Sequence, residues 1–170
     1  MRIFKEEQRF TQTWILVLLT ISSIVPIALI VKEYNNEAST MSFNEFLFAI
    51  IIIPLCVFPI FFFKLKTRID EVGIHYRFIP FHFSNRTINW NTITSAKIRT
   101  YDAITEYGGW GLKSKFLFRK NKGISYSVSG TIGIQLELIS KKKILIGTLK
   151  KDEAEAVLKT YSDKLANNEA

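Results

Sequence analysis

Phe46 to Phe63 reads FLFAIIIIPLCVFPIFFF, with no charged residue, and it stops against Lys64, Lys66 and Arg68. A run of this kind must leave water as a block. A helix rises about 1.5 Å per residue, so roughly 20 mainly apolar residues cross a bilayer core. Phe46–Phe63 lies at the short end of that range. Phe43 and the uncharged Asn44 lengthen it, and Lys64 and Lys66 can snorkel to cover a mismatch. Pro54 and Pro59 would break a soluble helix, whereas a bilayer tolerates them because neighbouring groups re-satisfy the freed carbonyls.

A second uncharged run, Trp14–Val31, precedes it, with Trp14 and Tyr34 placed to suit the headgroup region. Thr20, Ser22 and Ser23 lie mid-span, where small polar residues usually meet another helix. The expected unit is a helical hairpin over residues 1–63, with spans at about 14–31 and 46–63 joined by the polar loop Lys32–Glu45. A buried core hairpin is the bland alternative, but two uncharged runs of this length exceed ordinary core helices. A signal peptide is the other, and Lys32-Glu33-Tyr34 makes a poor small-residue cleavage site. Arg2, Lys5 and Arg9 precede the first span and Lys64, Lys66 and Arg68 follow the second, while the loop carries Lys32 against Glu33, Glu37 and Glu45. The positive-inside bias then places both termini in the cytoplasm of a two-span protein of the inner membrane.

Charge divides the chain at the same place. The formal net charge is +8, yet residues 1–63 hold only Arg2, Lys5, Arg9 and Lys32 against five glutamates. All the positive excess belongs to residues 64–170, which suffice for one small domain with its own core. The single cysteine, Cys56, lies in the second span, so neither an intrachain disulfide nor a cysteine zinc site is expected.

After the second span the pattern alternates. Thr67–Glu71 and Ile74–Phe78 read as a hairpin with Gly73 as the turn residue before the second strand, and Pro80 ends that strand or places it at an edge. Further short strands fall at Arg86–Trp90, Ala96–Tyr101, Lys115–Arg119, Ile124–Val128, Ile134–Leu138 and Ile144–Gly147. Ala154, Val157, Leu158, Tyr161 and Leu165 then share one helical stripe, with acids early and lysines late, as the helix dipole favours. The expected class is α+β, mainly β: a transmembrane hairpin, then these short strands as a roughly seven-stranded barrel plugged by a C-terminal helix.

Four pieces carry a resemblance: Ile88-Asn89-Trp90-Asn91-Thr92-Ile93, Ile98-Arg99-Thr100-Tyr101-Asp102, Glu106-Tyr107-Gly108-Gly109-Trp110-Gly111, and Ile146-Gly147-Thr148-Leu149 leading into the helix. Over roughly Thr67–Leu165 the chain resembles a bacterial membrane-anchored pleckstrin-homology-like (PH-like) family. The resemblance implies a PH-like fold and a membrane-tethered adaptor role, and it implies no settled activity. Relatives that bind phosphoinositides use basic residues around their first hairpin; here that turn is Asp70-Glu71-Val72-Gly73, which is acidic.

Tyr107, Gly108, Gly109, Trp110 and Gly111, followed by Lys113 and Lys115, form the most unusual local sequence. The glycines permit a sharp bend. That bend either presents Trp110 to a partner or headgroup layer, or is a bulge that tucks it into the core. Basic groups lie at the membrane exit (Lys64, Lys66, Arg68), on one strand face (Lys97, Arg99), over Lys113–Lys122 and over Lys141–Lys143. They read either as attraction to anionic lipid or as a solvated face. Nucleic-acid binding fits the charge but finds no recognition motif. His75 and His82 read as strand-surface residues, and Asp70-Glu71 as turn residues. With no phosphate loop, nucleophile elbow or metal cluster, neither an enzyme nor a cofactor is expected. The expectation is a tethered binding or scaffold module for a protein partner or for copies of itself, with the lipid bilayer as a further contact. The alternative is an accessory subunit of a membrane transport or enzyme complex, working through Thr20, Ser22, Ser23 and the prolines of the second span.

Overall fold

A computed structural model describes residues 2–113 and 123–166. The chain forms two compact units: Phe10–Phe62, and Met1–Arg9 together with Phe63–Ala170. The first holds α1 (Thr13–Tyr34) and α2 (Phe43–Val57), the latter continuing as a 3-10 turn over Phe58–Phe62. Both are long and apolar enough to cross a membrane, and neither buries a single residue within the chain. Ser42 starts α2 with a reciprocal capping box to Glu45, and the rings of Tyr34 and Phe46 stack at 4.2 Å. Thr20 donates to the Leu16 carbonyl at 2.8 Å, and Ser22 and Ser23 donate to that of Leu19 at 2.9 and 2.8 Å. These hydroxyls are satisfied inside their own helix and do not require the second one.

The β-rich unit corrects the expected architecture. Among the described residues nine strands form two separate sheets, not one closed barrel. The four-stranded sheet runs in the order β1 (Phe4–Arg9), β2 (Lys64–Ile69), β3 (Gly73–Ile79), β4 (Arg86–Asn89), all antiparallel. The five-stranded sheet runs β5 (Ile93–Thr100), β8 (Ile132–Leu138), β9 (Lys143–Gly147), β7 (Ile124–Ser127), β6 (Gly111–Lys113). A 3-10 turn at Trp90–Thr92 steps the chain from β4 to β5 without pairing them, and β7 lies parallel to β9. The strand expected over Lys115–Arg119 lies outside the described residues.

The largest departure is β1. Residues assigned from sequence to the hairpin form an edge strand of the β unit, with Arg9 opposite Lys64 and Phe4 opposite Ile69. Phe4 is fully buried. The Gln8 amide donates to the Gly147 carbonyl at 2.8 Å, and the Glu6 carboxylate accepts from the Thr148 hydroxyl at 2.7 Å and the Leu149 N–H at 2.8 Å. β1 thus fastens its own sheet to the end of β9. The connections to the apolar helices are short, Phe10–Gln12 on one side and Phe63 alone on the other.

The core lies between the sheets. Leu65, Ile69, Ile74, Phe78 and Ile88 come from one, and Ile134, Leu136, Ile144 and Ile146 from the other. Tyr76 and Tyr126 meet across it at 4.7 Å. The last helix, α4 (Lys151–Thr160), buries Ala154, Val157 and Leu158, as its stripe requires. Tyr161 lies beside Trp90 at 5.5 Å and donates to the Arg2 carbonyl at 2.7 Å.

Candidate functional site

Strand alternation sorts the four-stranded sheet into a mainly apolar inner face and a mainly charged outer one. On the outer face the register aligns Lys5, Arg68, His75 and Thr87 in one row, and Glu7, Lys66 and Arg77 in the next. Arg9 and Lys64 follow at the end where the chain departs for the apolar helices. Lys64, Lys66 and Arg68, expected as membrane flanks, are therefore every second residue of one strand. A cavity of about 690 Å³ opens on this face, and Lys5, Lys66, Arg68, Asp70, His75 and Asn85 contribute to its lining.

Six cations on this face meet few acids. Glu7 is shared by Lys64 at 2.9 Å, Arg9 at 3.0 Å and Lys66 at 3.1 Å, and these partners lower its carboxyl to about 2. Glu7 therefore stays ionised through any physiological pH and sets the spacing of the cations around it. Asp70 is buried at the far end. Burial alone would raise its pKa, but hydrogen bonds from His75 and from the Val72 and Gly73 backbone bring it below the usual carboxylate value. Arg68 Nε lies 2.9 Å from its second oxygen. The His75 ring spans from Asp70 Oδ1, 3.0 Å from Nε2, to Thr87 Oγ1, 2.8 Å from Nδ1. The register of β3 and β4 places Thr87 opposite His75, the tight turn after β2 places Asp70 beside it, and the resulting carboxylate–imidazole–hydroxyl line orients the imidazole. Sequence reasoning missed it, because Thr87 is brought to His75 only by strand pairing.

His82 is not on a strand surface. It is buried after β3 against Tyr76 and Tyr126, and its Nδ1 accepts from the Phe78 N–H at 3.2 Å. Burial, with the nearby Arg86 charge, lowers its pKa, which keeps the ring neutral and Nδ1 free to accept.

The glycine-rich stretch is the end of a helix. Asp102 caps α3 (Ala103–Tyr107) through the Ile104 and Thr105 N–H groups. Gly108 closes it at φ 73°, and the Gly108 and Gly109 N–H groups return to the Ile104 and Ala103 carbonyls at 2.8 and 2.7 Å. Both signals, an Asp before and a Gly after, were present in the sequence. Gly109 and Gly111 also take positive φ, so the chain bends into β6. Trp110 is half-buried against Tyr101, Ala103, Tyr107 and Leu145, and its indole N–H donates to the Gly130 carbonyl at 2.9 Å. The ring covers the outer side of the five-stranded sheet. Lys113 is half-buried on β6, and Lys115 lies outside the described residues.

Of the basic strand face, Lys97 is exposed while Arg99 is engaged. Arg99 reaches Glu106 at 3.1 and 2.9 Å, the Tyr107 hydroxyl at 3.1 Å and Gln135 Oε1 at 3.0 Å. It holds α3 on β5. Arg99→Lys is expected to lose the forked pair, a cost of about 1.5 kcal/mol. Amide exchange at Gly108 and Gly109 should then quicken roughly tenfold through local opening; unchanged exchange there would show that Arg99 does not hold the helix.

Among the described residues no group of three His, Cys, Asp or Glu side chains is placed to hold a metal ion. No family model matches the chain, and no curated protein matches it.

Proposed function

We propose that the chain is a membrane-tethered binding module without catalytic activity, held by two spans and offering a basic β-rich domain to a protein partner or to copies of itself. The carrying observation is the row of cations on the outer face of β1–β3, which begins at Arg9 and Lys64, the residues where the chain leaves for the apolar helices. Because Arg9 and Lys64 are ladder partners, the flanks of both helices belong to one folded unit and must share one side of a bilayer. That supports two crossings, and the positive flanks favour the cytoplasmic side of the inner membrane for both termini. The same pairing speaks against a cleaved signal peptide, since cleavage would remove β1 with its buried Phe4. Two sheets followed by one amphipathic helix support the PH-like reading of the β unit, and anionic lipid fits the same cations as a further contact. Tethering raises the local concentration of the domain, so weak contacts suffice.

The accessory-subunit reading draws less support, because Thr20, Ser22 and Ser23 are already satisfied within α1. Crosslinked capture from membranes with the full-length protein tests the two. Exchanging residues 10–62 for an unrelated two-span anchor is expected to leave the captured partner unchanged, and Lys5→Glu with Lys66→Glu to abolish capture. Capture that survives charge reversal but fails on anchor exchange would reject the proposal in favour of action through the spans. Residues 1–9 must be kept in every variant, because a fragment starting at residue 64 lacks β1.

A further inference from the structure

The loop between β3 and β4 carries aromatic residues in an unusual arrangement. Phe83 is 91% exposed and Phe81 53% exposed, yet His82 between them is buried. The loop is held firmly. The His82 N–H donates to the Phe78 carbonyl at 2.8 Å, the Phe78 N–H donates back to His82 Nδ1 at 3.2 Å, and Arg77 Nε donates to the His82 carbonyl at 3.1 Å. Exposure of the phenyl rings is therefore built in, because anchoring His82 inward leaves its two neighbours outside.

The register says where this loop emerges. Ile79, the last residue of β3, lies opposite Lys64, and Lys64 lies opposite Arg9. The loop leaves the sheet at the end from which both apolar helices depart. Phe63, the one residue between the second apolar stretch and β2, has its ring 5.5 Å from Phe81 and 5.9 Å from Phe78. Isolated exposed apolar residues are ordinary. Here, however, two aromatics flank a His82 that is hydrogen-bonded inward, one of them touches the connector to an apolar helix, and Arg77 and Arg86 flank the loop in the chain. Aromatic tips with cations behind them suit the headgroup–acyl boundary, where an apolar surface enters by about 5–10 Å and long cations stay with the headgroups.

We propose that the Phe81–Phe83 loop is an interfacial anchor that inserts Phe83 into the same bilayer that the two apolar helices cross, giving the β unit a third attachment. The inference rests on the membrane-tethered reading, and the test separates the two. Full-length protein carrying Cys56→Ala receives one nitroxide-labelled cysteine at a time, as Phe83→Cys, Val72→Cys or Leu29→Cys, in vesicles of phosphatidylcholine and phosphatidylglycerol. Val72 is exposed at the opposite end of β2 and β3, about 20 Å away for strands of this length. Collision with dissolved oxygen is compared with collision with a water-soluble nickel chelate. The expected result is oxygen preference at 83 and 29, and nickel preference at 72. Nickel preference at 83 with oxygen preference at 29 would overturn the anchor and leave the tether standing. A label at 83 shielded from both reagents would mean that protein, and not lipid, covers the loop, which also overturns it. Nickel preference at 29 would remove the tether and the anchor together.

Discussion

Phe4→Ala is expected to destabilise the β unit by about 3–5 kcal/mol, the usual range for truncating a fully buried phenylalanine. Phe4 is 1% exposed and sits in the first strand, opposite Ile69. With a total stability of roughly 5–15 kcal/mol for a domain, this one change removes a large share of it. Urea denaturation of the full chain in nanodiscs, followed by near-ultraviolet circular dichroism, should show the midpoint falling by about 1.5–3 M. Ile3→Ala, at the exposed neighbouring position, should shift it little. If the Phe4 variant unfolds with the wild-type midpoint, the first nine residues are only a flank of the apolar helix, and β1 is not part of the folded unit.

Asp70→Ala is expected to cost about 2–3 kcal/mol. Its carboxylate takes hydrogen bonds from His75 and the Val72 N–H and pairs with Arg68, and hydrogen bonds to charged groups contribute roughly 1.5–3 kcal/mol. The loss stays below the 3–5 kcal/mol of a wholly buried pair because Arg68 is half exposed and rehydrates. The pH dependence has a definite sign. The folded pKa of Asp70 lies below its unfolded value of about 3.9, so its contribution is present above pH ~4 and is lost as pH falls through the lowered folded value. Acid unfolding curves of the wild type and of Asp70→Asn should therefore converge at low pH and separate above it. Parallel curves across the whole range would show that the carboxylate charge contributes nothing.

Much of the β unit was legible because alternation marks a strand whatever its partner. Ile74–Phe78, Ile124–Tyr126 and Ile134–Leu138 each announce a buried face on their own, and Ala154–Leu158 does so at helical period. β1 does not. In FKEEQR only Phe4 is apolar, the other inward residues are Glu6 and Gln8, and a basic flank beside an uncharged run reads as topology signal. Gln8 is buried because its amide meets the Gly147 carbonyl, a partner 139 positions away. Gly73 was legible in part: it is a turn residue, its carbonyl accepting from the Asp70 N–H at 3.1 Å, but it also opens β3, where a Cβ would collide with the backbone carbonyl of Ile88. The glycine-rich stretch around Trp110 promised an unusual loop; its helix end was written locally in Asp102 and Gly108, whereas the role of Trp110 as a sheet cover depended on Leu145 and Gly130.

By itself the sequence determined two apolar helices, a β-rich remainder, a closing amphipathic helix and an excess of positive charge outside the apolar runs. These follow from hydropathy and period, which neighbouring residues express without reference to the rest of the chain. Only the tertiary structure decided that the chain makes two sheets, that its first strand pairs across the apolar insertion, and that Arg68, His75 and Thr87 stand in one row beside Asp70. Those are matters of register and long-range hydrogen bonding, where a backbone ladder is chosen by partners that local composition does not encode.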